Sequence, residues 1–188
     1  MKILYVHGLL GSANGSAVQL LKKSFPNDDI LAVEYDNYDC VKGYKEIVDY
    51  YLSHDIDLVI GCSLGGFYAQ FLSNRPKILI NPAFNGGTDI IKYVSNSLDK
   101  LSPTYVSDLN KIRDDYLANY YDYEDYTETT TIFCKNDDVI TFDNDRLSLY
   151  NNIYRTKDII ITEKGQHRLS EDIIPIISEL VEKVRKWF

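Results

Sequence analysis

Two glycines flank a serine in Gly61-Cys62-Ser63-Leu64-Gly65, a G-x-S-x-G spacing that can turn a hydroxyl into a nucleophile. The chemistry depends on the backbone. A serine on a sharp strand-to-helix turn sits in a crowded, strained geometry, and glycines two residues before and after it remove the Cβ atoms that would collide. Such a turn lifts the Ser63 hydroxyl above the sheet edge. There the N–H of Leu64, at the start of the next helix, can stabilise a developing oxyanion. Average glycine and serine usage produces the bare pattern by chance in about one chain in twenty of this length, so the weight falls on its partners.

A serine hydroxyl needs a base to take its proton, and the base needs a third group to fix its tautomer. The chain has three histidines. His54 lies in a polar connection and reads as a surface residue. His7 ends the first apolar run, where its imidazole is better placed to order a loop than to act as a base. His167, in Glu163-Lys164-Gly165-Gln166-His167, follows the last strand-like run and is the expected base. The acid is expected from Cys134-Lys135-Asn136-Asp137-Asp138-Val139-Ile140, which offers two carboxylates, although Asn-Asp is also ordinary turn chemistry. Successive side chains at a strand end face opposite ways, so the two acids cannot serve equally. Asp137 is the expected partner of His167, and Asp138, next to the apolar Val139-Ile140, the loop-bracing or solvent-facing residue.

Alternating elements must position these groups. Strands are expected at Lys2 to Val6, Ile30 to Val33, Asp57 to Ile60, Lys77 to Ile80, Thr129 to Cys134 and Asp158 to Ile161. Helices are expected at Ala17 to Phe25, after the elbow, at Arg146 to Tyr150, and at the end of the chain. Val41 to Leu52 places Val41, Tyr44, Ile47, Val48, Tyr51 and Leu52 on one helical face. The final helix carries Ile173, Ile176, Ile177, Leu180, Val181 and Val184 inward, with Asp172 as its cap and Pro175 in its first turn. Between Ala83 and Thr127 the period changes: Ile90, Ile91, Val94 and Leu98 fit one helix, and Leu109, Ile112, Tyr116, Leu117 and Tyr120 a second. The insert is expected to cap the strand ends, with Tyr116, Tyr120, Tyr121, Tyr123 and Tyr126 in packing roles or walling an acyl pocket. This alternation implies an α/β fold with a doubly wound, mainly parallel six-stranded sheet. Residues 1–188 form one domain, with 83–127 as a short helical cap insert. Strand order should reverse between the first and third strands, beside the loops of His7 and Ser63, where ligands bind in open sheets.

Composition narrows the classes of function. The 188 residues carry a net charge of −8 and a pI of about 4.8, which disfavours a nucleic-acid or anionic-membrane partner. No run approaches the length of a membrane span. Three cysteines without zinc-ligand spacing suit a reducing, cytoplasmic setting. Met1-Lys2-Ile3-Leu4-Tyr5-Val6 faintly has the form of a signal peptide, but His7-Gly8 breaks it and cleavage would delete a strand.

The residues Leu4-Tyr5-Val6-His7-Gly8, Gly61-Cys62-Ser63-Leu64-Gly65-Gly66-Phe67-Tyr68, Ile80-Asn81-Pro82-Ala83, Asn136-Asp137-Asp138-Val139 and Gly165-Gln166-His167 resemble the α/β-hydrolase superfamily, and within it the small YqiA-type bacterial esterases. Nucleophile, acid and base also fall in that superfamily's chain order. The resemblance implies a triad of Ser63, Asp137 and His167 and an oxyanion hole from the backbone of Leu9 and Leu64. Cys62 stands where a serine is frequent, and Asn136 where a glycine often precedes the acid, a position at which Asn tolerates the left-handed conformation. The expectation is a serine esterase or thioesterase acting on a small-molecule ester, with no metal or organic cofactor. The rivals are an acyltransferase on the same triad and a catalytically silent binding module of the same fold. A phosphate-binding glycine loop is disfavoured because no lysine or arginine closely follows Gly65-Gly66.

Overall fold

Lys2–Val6 forms β1 because its apolar, β-branched run can be buried on both faces at once. In the computed structural model, which describes residues 1–93, 100–119, 128–154 and 158–187, five further strands align with it: β2 (Asp29–Ala32), β3 (Leu58–Cys62), β4 (Lys77–Ile80), β5 (Thr129–Cys134) and β6 (Asp158–Thr162). Their order is β2-β1-β3-β4-β5-β6, and every pairing is parallel. Parallel neighbours need crossovers, here supplied by α1 (Ser16–Ser24), α2 (Cys40–Ser53), α3 (Leu64–Ala69), α4 (Gly87–Tyr93), α5 (Tyr105–Asn119) and α6 (Asn144–Tyr154); α7 (Ile174–Arg185) follows β6. The α/β, doubly wound six-stranded arrangement expected from the sequence is the one observed.

The period of two along each strand splits the core into two layers. Ile3, Tyr5, Ile60, Ile78 and Ile132 face α1 and α7, through Val18, Leu21, Ile177 and Val181. Leu4, Val6, Val59, Leu79 and Phe133 face the other way and join Ile47 of α2, Phe67 and Tyr68 of α3, Leu109 of α5 and Tyr150 of α6.

Three local expectations are corrected. Val41 and Leu52 do not face the core: they are 53% and 74% exposed. At 100° per residue they stand about 120° and 140° away from Ile47, outside the buried stripe, and at the two ends of α2. Asp172 does not cap the last helix. It lies in a 3-10 turn, Glu171–Ile173, that leads into α7, and Pro175 occupies the first turn. Asn136 is not left-handed; its Nδ2 donates instead to Glu163 O at 2.7 Å, tying the loop after β5 to the loop after β6.

The insert between β4 and β5 contributes α4 and α5. Ile90, Tyr105 and Leu109 are buried in the layer that holds α3. Asp89 in α4 pairs with Arg146 in α6, while Asp89 Oδ2 also accepts the Asn85 N–H at 3.2 Å. Tyr116 packs against Phe71 with ring centroids 4.7 Å apart. Val94, Leu98, Tyr120, Tyr121, Tyr123 and Tyr126 lie outside the described residues.

Candidate active site

β3 runs straight into α3 with one residue, Ser63, between them, and that residue takes φ 55° and ψ −121°. A non-glycine residue at positive φ stores strain of about 1–3 kcal/mol and persists only where the surroundings hold it. Backbone hydrogen bonds and close packing hold it. Ser63 N–H donates to Ile80 O at 2.9 Å, and Ala83 N–H donates to Ser63 O at 3.0 Å. A Cβ on Gly61 would lie 2.6 Å from Gly65 O, and one on Gly65 would lie 2.1 Å from Val6 O. Glycine is the residue that fits at either place.

The other two side chains come from strand ends far along the sequence. Asp137 follows β5 in a tight turn in which its Oδ1 accepts the N–H groups of Val139 and Ile140, each at 2.8 Å. That leaves Oδ2 free to face His167 Nδ1 at 2.8 Å. His167 Nε2 lies 2.9 Å from Ser63 Oγ. A carboxylate can only accept, so Nδ1 carries the proton and Nε2 presents its lone pair to the serine hydroxyl. All three residues are buried. Asp138 is exposed and does not take part; it borders a groove of about 860 Å³ with Asn136, Glu163 and Gln166, on the outer side of His167.

The loop after β1 passes directly over the serine: a Cβ on Gly8 would lie 3.1 Å from Ser63 Cβ. Gly8 O receives two donors, His7 Nδ1 at 2.9 Å and Gly11 N–H at 2.9 Å. The Leu9 N–H belongs to the same trans peptide and points the opposite way, so the bonds that pin the carbonyl also aim the N–H. His7 itself is held by stacking on Tyr35, centroids 4.4 Å apart, and Tyr35 OH donates to His7 O at 2.6 Å. Burial lowers the His7 pKa from its ordinary value, against smaller opposing contributions from Gly8 O and Glu34. Leu64 opens α3 with its side chain fully buried. A cavity of about 110 Å³ opens between this loop and the loop of His167, lined by Leu9, Leu10, Ser12, Ala17, Ser63 and Leu169.

His54 is exposed and stacks on Tyr50, away from these groups. Sequence reasoning assigns no role to Tyr35, and places Asn81 only in the Asn-Pro-Ala motif after the fourth strand. An Asn-Pro pair directly after a buried strand was the one available signal for the latter. Among the described residues no group of three or more His, Cys, Asp or Glu side chains could hold a metal ion, and no helix is long and apolar enough to cross a membrane.

The profile of the uncharacterised protein family UPF0227 matches residues 2–182. The chain belongs to that family. The resemblance to the YqiA-type group of the α/β-hydrolase superfamily therefore holds along nearly the whole sequence. None of the curated proteins compared with this UPF0227 member matches it in sequence. Solved structures do match in shape. Est1E from Butyrivibrio proteoclasticus is 14% identical with a TM-score of 0.71, over 97% of this chain and 85% of that one. A structure from LipS and LipT, two metagenome-derived lipolytic enzymes, is 14% identical with a TM-score of 0.69, over 98% and 93%. The thioesterase domain from the curacin biosynthetic pathway is 13% identical with a TM-score of 0.62, over 96% and 90%. At such identities the likeness is one of fold, and the fold of this UPF0227 chain is that of an α/β-hydrolase.

Proposed function

We propose that this protein is a serine hydrolase that cleaves a small carboxylic ester or thioester through an acyl-enzyme. The observation that carries the reading is the continuous line from Asp137 Oδ2 through His167 to Ser63 Oγ, with both links under 3 Å and the serine on a strained turn. Ser63 Oγ attacks the carbonyl carbon while His167 Nε2 takes its proton, and Asp137 stabilises the imidazolium that forms. The N–H groups of Leu9 and Leu64 receive the oxyanion of the tetrahedral intermediate. His167 then returns the proton to the departing alcohol or thiol. Water, activated by the same nitrogen, releases the acyl group. No cofactor enters these steps.

Structural neighbours described as lipolytic enzymes and a thioesterase domain support this class of reaction. The cavity beside Ser63 is small, about 110 Å³, which favours short acyl groups. Three free, buried cysteines suit a reducing, cytoplasmic setting. The 83–127 insert is read as a helical cap within a single domain, and the cavity at Ser63, lined by residues of the loops after β1 and β6, is read as the site for a small-molecule substrate.

The test is a panel of nitrophenyl esters of increasing acyl length, run with fluorophosphonate labelling on the wild type and Ser63→Ala. Ser63→Ala is expected to lose essentially all turnover and all labelling while keeping its fold. kcat/KM of the wild type should be highest for short acyl chains. Substantial turnover by folded Ser63→Ala would put the nucleophile elsewhere, and a steady rise to long chains would contradict the small acyl site.

A further inference from the structure

One turn touches the backbone of all three loops that carry the reacting groups, and none of its side chains belongs to the proposed triad. Ile80-Asn81-Pro82-Ala83 follows β4, the strand between the nucleophile strand and the acid strand. Ile80 O and Ala83 N–H hold Ser63 on both sides. Pro82 closes on the elbow, since a Cβ on Gly66 would lie 3.0 Å from Pro82 Cβ. Asn81 reaches the other two loops. Its N–H donates to Ile132 O at 2.9 Å, and its Oδ1 accepts the N–H of Cys134, the last residue of β5, at 2.8 Å. Its Nδ2 donates to Gln166 O at 2.8 Å and to His167 O at 3.2 Å.

We infer that Asn81 is the positioning residue that sets the acid loop and the base loop in register with the serine. The inference rests on the Ser63–His167–Asp137 reading and adds to it a group that touches no substrate. Its chemistry is specific. A carboxamide offers two donors and an acceptor on one rigid plane. The two carbonyls need donors and Cys134 N–H needs an acceptor, so the amide meets all three. Asn81 is 2% exposed, so no solvent replaces what it provides. It also stands at φ 42°, in the left-handed region that asparagine tolerates better than most residues. Aspartate would keep the acceptor and set a carboxylate against two carbonyl oxygens; glutamine would lengthen a side chain that is already buried. The His167 carbonyl has a second donor in Cys62 Sγ at 3.5 Å. Burial pushes that thiol up to about 12, so it remains protonated and able to donate.

The experiment compares Asn81→Ala and Asn81→Asp with the wild type, below their melting temperatures, by nitrophenyl acetate kinetics. Proton NMR of the His167 Nδ1–H, identified by its absence in His167→Gln, is recorded alongside. Displacing a reacting group by about 1 Å can cost about 100-fold in rate, so kcat is expected to fall about 10- to 100-fold while KM changes little. The low-field Nδ1 proton should shift or broaden in both variants. A purely structural asparagine would lower Tm and leave kcat and this proton unchanged in the folded protein, and that result would overturn the inference. Asn81→Asp keeps the shape and the Cys134 acceptor, so it decides the matter if Asn81→Ala does not fold. Full turnover by Ser63→Ala would instead overturn the triad reading, and the His167 proton would still report whether Asn81 sets its loop.

Discussion

Asp137 and Asp138 differ by one position and by nearly everything else. Asp137 spends one oxygen on two backbone N–H groups and the other on His167, whereas Asp138 is exposed. Asparagine at the proposed acid keeps the shape and favours the wrong imidazole tautomer. Asp137→Asn is therefore expected to lower kcat by about 10²- to 10⁴-fold, and Asp138→Asn by a small factor only, in steady-state assays of both. A steep fall for Asp138→Asn alone would move the acid by one residue. His7 makes a second residue-scale prediction. Its folded-state pKa is depressed by burial, so the unfolded chain takes up a proton more readily, starting near pH 6.5. Its contribution is fully present above that pH and is lost as pH falls towards the folded value. The Tm of the wild type should drop more between pH 7.5 and 5.5 than that of His7→Asn, which does not titrate; equal slopes would refute it. Ser63, Asp137 and His167, which the structure brings together, were legible in the sequence as candidates because each sits in a motif at a strand end. Asn81 was not, because its task is set by loops more than 50 and 80 residues away and no local pattern encodes them.

Among the elements, α4 and α6 are joined by a charge pair that is hidden from water. The Asp89 side chain is 1% exposed and that of Arg146 19%, and the guanidinium also lies over the Phe84 ring at 5.3 Å. Removing the cation strands a buried carboxylate, at a cost of about 3 kcal/mol. Arg146→Met should accordingly lower Tm by about 6–12 °C, and Arg146→Met with Asp89→Asn should recover part of the loss. Additive losses in thermal denaturation would mean that the two side chains do not act as a pair. The strands were readable because burial on both faces leaves near-continuous apolar runs. The helix ends were less so. Val41 and Leu52 extend the apolar pattern of α2 past the width of the stripe that the sheet covers, and the sequence does not say where that cover stops. Asp172 had the chemistry of a cap, but the chain enters α7 through a tighter turn that holds Asp172 and makes Ile173 the residue before the helix.

For the whole molecule, the strand order carries a consequence for how the protein is made. After β2 and β1, each new strand joins the one synthesised just before it, or β1 in the case of β3, and always on the same edge: β3, then β4, β5 and β6. A sheet with this order can grow in the direction of translation without opening a pair already formed. The serine, its glycine turn and Asn81 are thus in place well before the histidine exists as chain. On the proposed triad, a nascent polypeptide arrested after β5 would hold Ser63 with no base, chemically silent however well it had folded. Reactivity would arrive late and at once, when the loop bearing His167 swings onto Asn81 and α7 seals the face behind it. The protein would then spend its synthesis as an inert scaffold and leave the ribosome armed.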